Sequence, residues 1–74
     1  MSSVFNINYQ LRRELGKQLW LARRDKQLKL ISVTKSTHIP YEIIDKIERG
    51  KHLSYHDCVK LANLYGRKIK VLLE

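Results

Sequence analysis

The sequence predicts one small helical domain, and three observations carry the prediction. Leu11, Leu15, Leu19 and Ala22 recur at spacings of four, four and three, which places them along one face of a helix. Cys58, Leu61, Ala62 and Tyr65 form a second stripe of the same kind. The three glycines and the single proline, Gly16, Gly50, Gly66 and Pro40, then divide the chain, and Pro40, Gly50 and Gly66 stand where helices start or stop.

The first helix is predicted over about Tyr9 to Lys26, with Asn8 in the N-cap position. Residues 1–8 then form an N-terminal arm and residues 9–74 the folded domain. The other faces of this helix carry Arg12, Arg13, Lys17, Arg23, Arg24 and Lys26. From Leu28 to Ile39 the pattern is poor. Leu30, Ile31, Val33, Thr34 and Thr37 are mostly β-branched, so local composition reads almost as a strand and does not decide between helix and strand.

Pro40 has the fixed φ of a first helical turn, and Tyr41 to Arg49 follows with Ile43, Ile44 and Ile47 before Gly50. Ser54 and, three residues on, Asp57 have the form of a capping box for a helix that closes at Gly66. Ile69 to Leu73 offers one or two further helical turns.

Length and charge narrow the functional classes. The chain has 74 residues and 15 Lys plus Arg against 7 Asp plus Glu, so 15 − 7 gives a net charge of +8. A domain of this size buries only roughly 60% of its unfolded surface, which supports one core and no deep enclosed active site, and excludes a multi-domain enzyme. A hydrophobic share of 43% beside 30% charged residues is that of a folded domain and not of a basic tail.

A single cysteine, Cys58, makes no internal disulfide, which favours a reducing cytoplasm. Met1 to Gln10 lacks the pattern of a secretory signal, and no stretch approaches the roughly 18 apolar residues of a membrane span. The positive charge points to a polyanion: nucleic acid first, an acidic membrane surface second, an acidic protein third.

No catalytic or metal constellation emerges. His52 and His56 are four apart but straddle a helix start, and Cys58 belongs to the apolar stripe, so the spacing of paired zinc ligands is missing. Ser54, His56 and Asp57 point in different directions and do not form a triad. Gly16 and Gly50 are isolated and form no phosphate loop. The expectation is a non-enzyme with no cofactor and no metal.

Leu15-Gly16-Lys17-Gln18-Leu19, Arg23, Ile44 to Lys51, Lys60-Leu61-Ala62 and Leu64-Tyr65-Gly66 together resemble the Cro/repressor-type (XRE) helix-turn-helix family over about Leu11 to Glu74. The resemblance implies an all-α, compact five-helix lambda-repressor-like domain, in which helices 2 and 3 form the helix-turn-helix and helix 3 enters the DNA major groove. It puts Ile44 and Ile47 in the core and pairs Arg23 with Glu48. Glu48 in the last turn of helix 3 also calls for a cationic partner, because the helix dipole disfavours an acid there.

The chain departs from the family pattern at Leu30, Thr34 and His38, where Gln, Ala and Gly are usual. His38 then needs either a turn without positive φ or a tolerated strain. Thr37-His38-Ile39-Pro40 also resembles the RodZ-type helix-turn-helix, which binds a protein.

On the resemblance, the base-reading positions fall on Tyr41, Glu42, Ile43 and Lys46. Lys46 suits guanine O6 and N7, Glu42 the cytosine amino group, Ile43 a thymine methyl, and Tyr41 a base or a phosphate. A second reading makes Ile43 a core residue and Glu42, Asp45 and Lys46 a solvated face. Glu42 and Asp45 oppose phosphates unless offset by Lys46 or Arg49. Lys29, Lys35, Arg49, Lys51 and His52 are the expected phosphate contacts.

Trp20 and Tyr9 lie off the main stripe and, with Phe5, Ile7 and Val71-Leu72-Leu73, make apolar surface that either closes the ends of the core or joins two copies. A two-fold dimer would read two half-sites about one helical turn apart. The sequence thus points to a cytoplasmic, sequence-specific double-stranded DNA-binding transcriptional regulator, a repressor acting as a homodimer. The alternative is a protein-binding adaptor or antitoxin on the same fold.

Overall fold

The computed structural model describes residues 3–68, with side chains described from residue 9 onward. These residues form four α-helices and no strand: α1 (Ser3–Asp25), α2 (Leu30–Thr37), α3 (Tyr41–Glu48) and α4 (Tyr55–Leu64). The turns expected in Ile69 to Leu73 lie outside the described residues, as do the side chains of Phe5 and Ile7.

The first helix corrects one expected boundary. α1 begins at Ser3, so Asn8 is an interior position and not an N-cap. No glycine or proline stands between Ser3 and Asn8 to stop the helix, and extending an existing helix costs far less than nucleating one. Leu15, Leu19 and Ala22 of α1 are buried as their spacing predicts.

The strand-like segment folds as α2. Its N-cap, Lys29, makes no side-chain capping bond, so local signals give this helix little support. Tertiary packing supplies it: Val33 is fully buried in the core and Thr37 is buried beside it, with α2 packed on α3 and α4. The Thr37 hydroxyl donates to the Val33 carbonyl at 2.8 Å and accepts the Ile39 N–H at 3.2 Å, which ties the end of α2 to the turn that follows.

All four helices close through a residue in the left-handed region: Gln27 (φ 58°), His38 (φ 64°), Gly50 (φ 75°) and Gly66 (φ 69°). After α1, α3 and α4 the closure is a paired Schellman arrangement, such as Leu28 N–H to Arg23 carbonyl (3.1 Å) with Gln27 N–H to Arg24 carbonyl (2.9 Å). After α2 a single bond from His38 N–H to the Thr34 carbonyl (2.8 Å) does the work. His38 therefore adopts the positive φ that a glycine would take there, and the turn between α2 and α3 carries the strain.

α3 and α4 bury Ile44, Ile47, Cys58, Leu61 and Ala62, and Tyr65 is the largest side chain in the core with no exposed surface. Ser54 caps α4 by accepting the Asp57 N–H at 3.3 Å, one half of the expected capping box. No helix among the described residues is long and apolar enough to cross a membrane.

Candidate nucleic-acid interface

The position of α3 is set first by its crossing with α1. Gly16 sits against the end of α3: a Cβ there would collide with the Ile47 carbonyl oxygen and stand 2.9 Å from that of Glu48. A bare backbone at position 16 lets the two helices meet. An isolated glycine inside a strong helical pattern is the sequence signal for such an approach.

Beside this crossing, Arg23 grips Glu48 with both arms of its guanidinium, Nε to Oε2 at 2.7 Å and Nη2 to Oε1 at 3.0 Å. Its Nη1 donates to the Leu28 carbonyl at 2.9 Å, so one side chain holds α1, the α1–α2 turn and the end of α3. The pair is largely shielded, with 14% and 6% of the two side chains exposed. The Glu48 carboxylate, by accepting these bonds, raises the Arg23 pKa above its ordinary value despite burial. The geometry is the one the family resemblance implies for these residues.

Tyr65 lies in the field of the same pair. Burial pushes its hydroxyl up to about 12, the Glu48 charge adds to the shift, and Arg23 opposes it. The hydroxyl is buried with no hydrogen-bond partner, and so is Thr34 Oγ1. Thr34 thus sits in α2 at the expense of an unsatisfied polar atom.

Two further contacts, neither legible from motif spacing, fix the unit. Lys60 Nζ of α4 donates to the Thr37 carbonyl at 3.1 Å, satisfying an end group of α2. Arg12 Nε of α1 donates to the Gly50 carbonyl at 3.2 Å, anchoring the turn beyond α3.

On this frame α3 turns one face outward. Tyr41 is 48% exposed, and Glu42 and Lys46 are exposed with it. Ile43 is half-buried and packs against the core, so of the four expected base-reading side chains it offers the least surface. Asp45 accepts from Arg49 Nε at 3.2 Å, which offsets one of the two acids on this face and occupies part of Arg49.

The expected phosphate contacts do not form one cluster along the chain. Lys29 precedes α2, Lys35 is exposed in its last turn, and Arg49, Lys51 and the half-buried His52 follow the end of α3. Tyr41 and Glu42 stand at the other end of α3, about 12 Å away along its axis at 1.5 Å per residue. His56 and Asp57 face each other at 3.6 Å, Cys58 is buried, and no group of three potential metal ligands gathers among the described residues.

The described residues form an all-helical unit in which α1 and α4 pack on the consecutive short helices α2 and α3. Comparison with protein-family models, curated proteins and solved structures finds no match.

Proposed function

We propose that this chain is a sequence-specific double-stranded DNA-binding transcriptional regulator of the Cro/repressor type, acting as a cytoplasmic homodimeric repressor. The observation that carries the reading is the outward face of α3. Tyr41, Glu42 and Lys46 are exposed there, on a short helix held rigidly by the Arg23–Glu48 pair and the Gly16 crossing. Rigid presentation of a few polar side chains is what groove reading requires. The net charge of +8 supplies attraction to phosphates.

The family reading implies a five-helix form, one helix more than the four of the described residues. Repression follows in this reading from occupancy of the operator alone.

Selection of sites from a random duplex pool at near-physiological salt tests the proposal. Recovery of a two-fold symmetric motif is expected. If about six phosphates are contacted, log affinity for that site should fall with log salt at a slope of about −5. Weak retention with no sequence preference would overturn it. A protein-binding role for α3 is the second reading, favoured by the acids Glu42 and Asp45 on the same face.

A further inference from the structure

α1 carries a second outward face that the DNA-binding reading leaves unused. Tyr9, Arg13, Lys17, Trp20 and Arg24 follow one another at spacings of four, four, three and four, and all are exposed, Tyr9 by 49% and Trp20 by 38%. That spacing is one stripe of a helix. Arg13 lies over the Tyr9 ring at 5.5 Å and donates from Nη1 to the Tyr9 hydroxyl at 3.1 Å. Arg24 lies over the Trp20 ring at 4.8 Å.

A guanidinium stacked on an aromatic ring is ordered before anything binds. The edge N–H groups of Arg24, and those of Arg13 that are not given to the Tyr9 hydroxyl, can meet a planar oxyanion. No acid pairs with Arg13, Lys17 or Arg24 among the described residues. The acids near the stripe are engaged elsewhere: Glu14 by the Gln18 amide at 3.1 Å, Glu48 by Arg23 at 2.7 Å and Asp25 by Arg67 at 2.8 Å. The stripe also borders a groove of about 890 Å3 that reaches Glu48 and Arg49.

We propose that this stripe is a docking surface for an acidic protein segment, whose carboxylates meet the two stacked arginines and whose apolar side chains cover Trp20 and Tyr9. The two arginine–aromatic pairs are 11 positions apart, about 16 Å along the helix axis, so the segment engages them as two anchors. Arg, Trp and Tyr are the residue types that dominate protein interfaces. A second copy of the chain is disfavoured here, because it would set like charges against each other.

The choice of a protein over a nucleic acid rests on the DNA-binding reading. A recognition helix meets base edges with its N-terminal residues, whereas the α1 stripe adjoins the C-terminal end of α3 at Glu48 and Arg49.

Trp20 is the only tryptophan of the chain, so its emission reports on the stripe alone. The full chain is titrated with a synthetic peptide rich in Glu and Leu, with random-sequence duplex DNA, and with phosphatidylserine vesicles. The expected result is a saturable emission change with the peptide only. Lys17→Glu with Arg24→Glu should weaken peptide binding at least tenfold, and Lys26→Glu, beyond the stripe, less than twofold. Arg24→Gln repeats the test with a milder change, and circular dichroism melts check that each variant folds.

An emission change with duplex DNA or with vesicles in place of the peptide overturns the proposal, as does silence with all three probes or unaltered peptide affinity in the reversal variant. Site selection on duplex DNA does not depend on the stripe, so failure of the DNA-binding reading is recognised separately.

Discussion

Lys60 of α4 reaches across to donate from Nζ to the backbone carbonyl of Thr37, the last residue of α2. The weakest helix by local signals is thereby closed by a cation from an element 23 positions away. A charged donor on a helix C-terminus answers both an orphan carbonyl and the negative end of the dipole.

Lys60→Met keeps the aliphatic stem and removes this donor. The variant should lose about 1 kcal/mol of stability, measured by urea denaturation. Amide exchange should accelerate first in α2.

Gly16→Ala sets helix propensity against packing. Propensity alone predicts a gain of about 1 kcal/mol, but the new methyl runs into the Ile47 carbonyl oxygen, and forcing apart a tight crossing costs about 2–3 kcal/mol. Net destabilisation is expected. At Gly66 a Cβ meets nothing within 4 Å, so Gly66→Ala should cost only the strain of a positive φ, about 1 kcal/mol. Paired thermal melts of the two variants separate collision from strain.

Thr34 and His38 each carry an unfavourable feature in α2 and the turn after it, one a buried hydroxyl without a partner and the other a left-handed backbone. Thr34→Ala and His38→Gly should each stabilise the chain by about 0.5–1 kcal/mol. Loss of stability in both would mean that neither term is felt.

The Tyr65 hydroxyl ionises at about 12 in the folded chain against an ordinary 10.0. Folding therefore favours its neutral form. The resulting stabilisation is complete below pH 10 and is lost as pH rises from 10 to 12. Tyr65→Phe removes both this alkaline loss and an unpaired buried hydroxyl, and should match or exceed the parent by about 1 kcal/mol. Absorbance of phenolate against pH, with unfolding followed in parallel, checks the order of events.

Tyr41→Ala with Lys46→Ala removes two exposed side chains of α3 and should change stability by less than about 0.5 kcal/mol. On the DNA-binding reading, the preference for a selected site over random duplex should fall by at least tenfold, as gel-shift competition would record. Preserved preference would take these residues out of the reading role.

The parts of the fold that were legible from sequence are those in which local and long-range forces agree. Leu15, Leu19 and Ala22, and the stripe from Cys58 to Tyr65, pattern their helices plainly and are buried as expected. Ser54 caps α4 as its position suggests. α2 was ambiguous because Val33 and Thr37 make it a helix only through neighbours distant in sequence.

Gln27 gave no sign of its left-handed turn, since nothing in an isolated glutamine marks it as a helix closure. Within the candidate site, Tyr41, Glu42, Ile43 and Lys46 and the pairing of Arg23 with Glu48 were expected from the family resemblance, and Ile43 differs from the other three of α3 in packing against the core. The Lys60–Thr37 and Arg12–Gly50 bonds did not follow from spacing, because their carbonyl acceptors leave no trace in side-chain patterns.

Cys58, with 1% exposure and a thiol pushed up in pKa by burial, lies inside the core, and it is the chain's only cysteine. A thiol so placed is chemically silent until the core opens. Each alkylation event therefore requires an opening of the core around Cys58, and its rate reports how much of the time that core stands open.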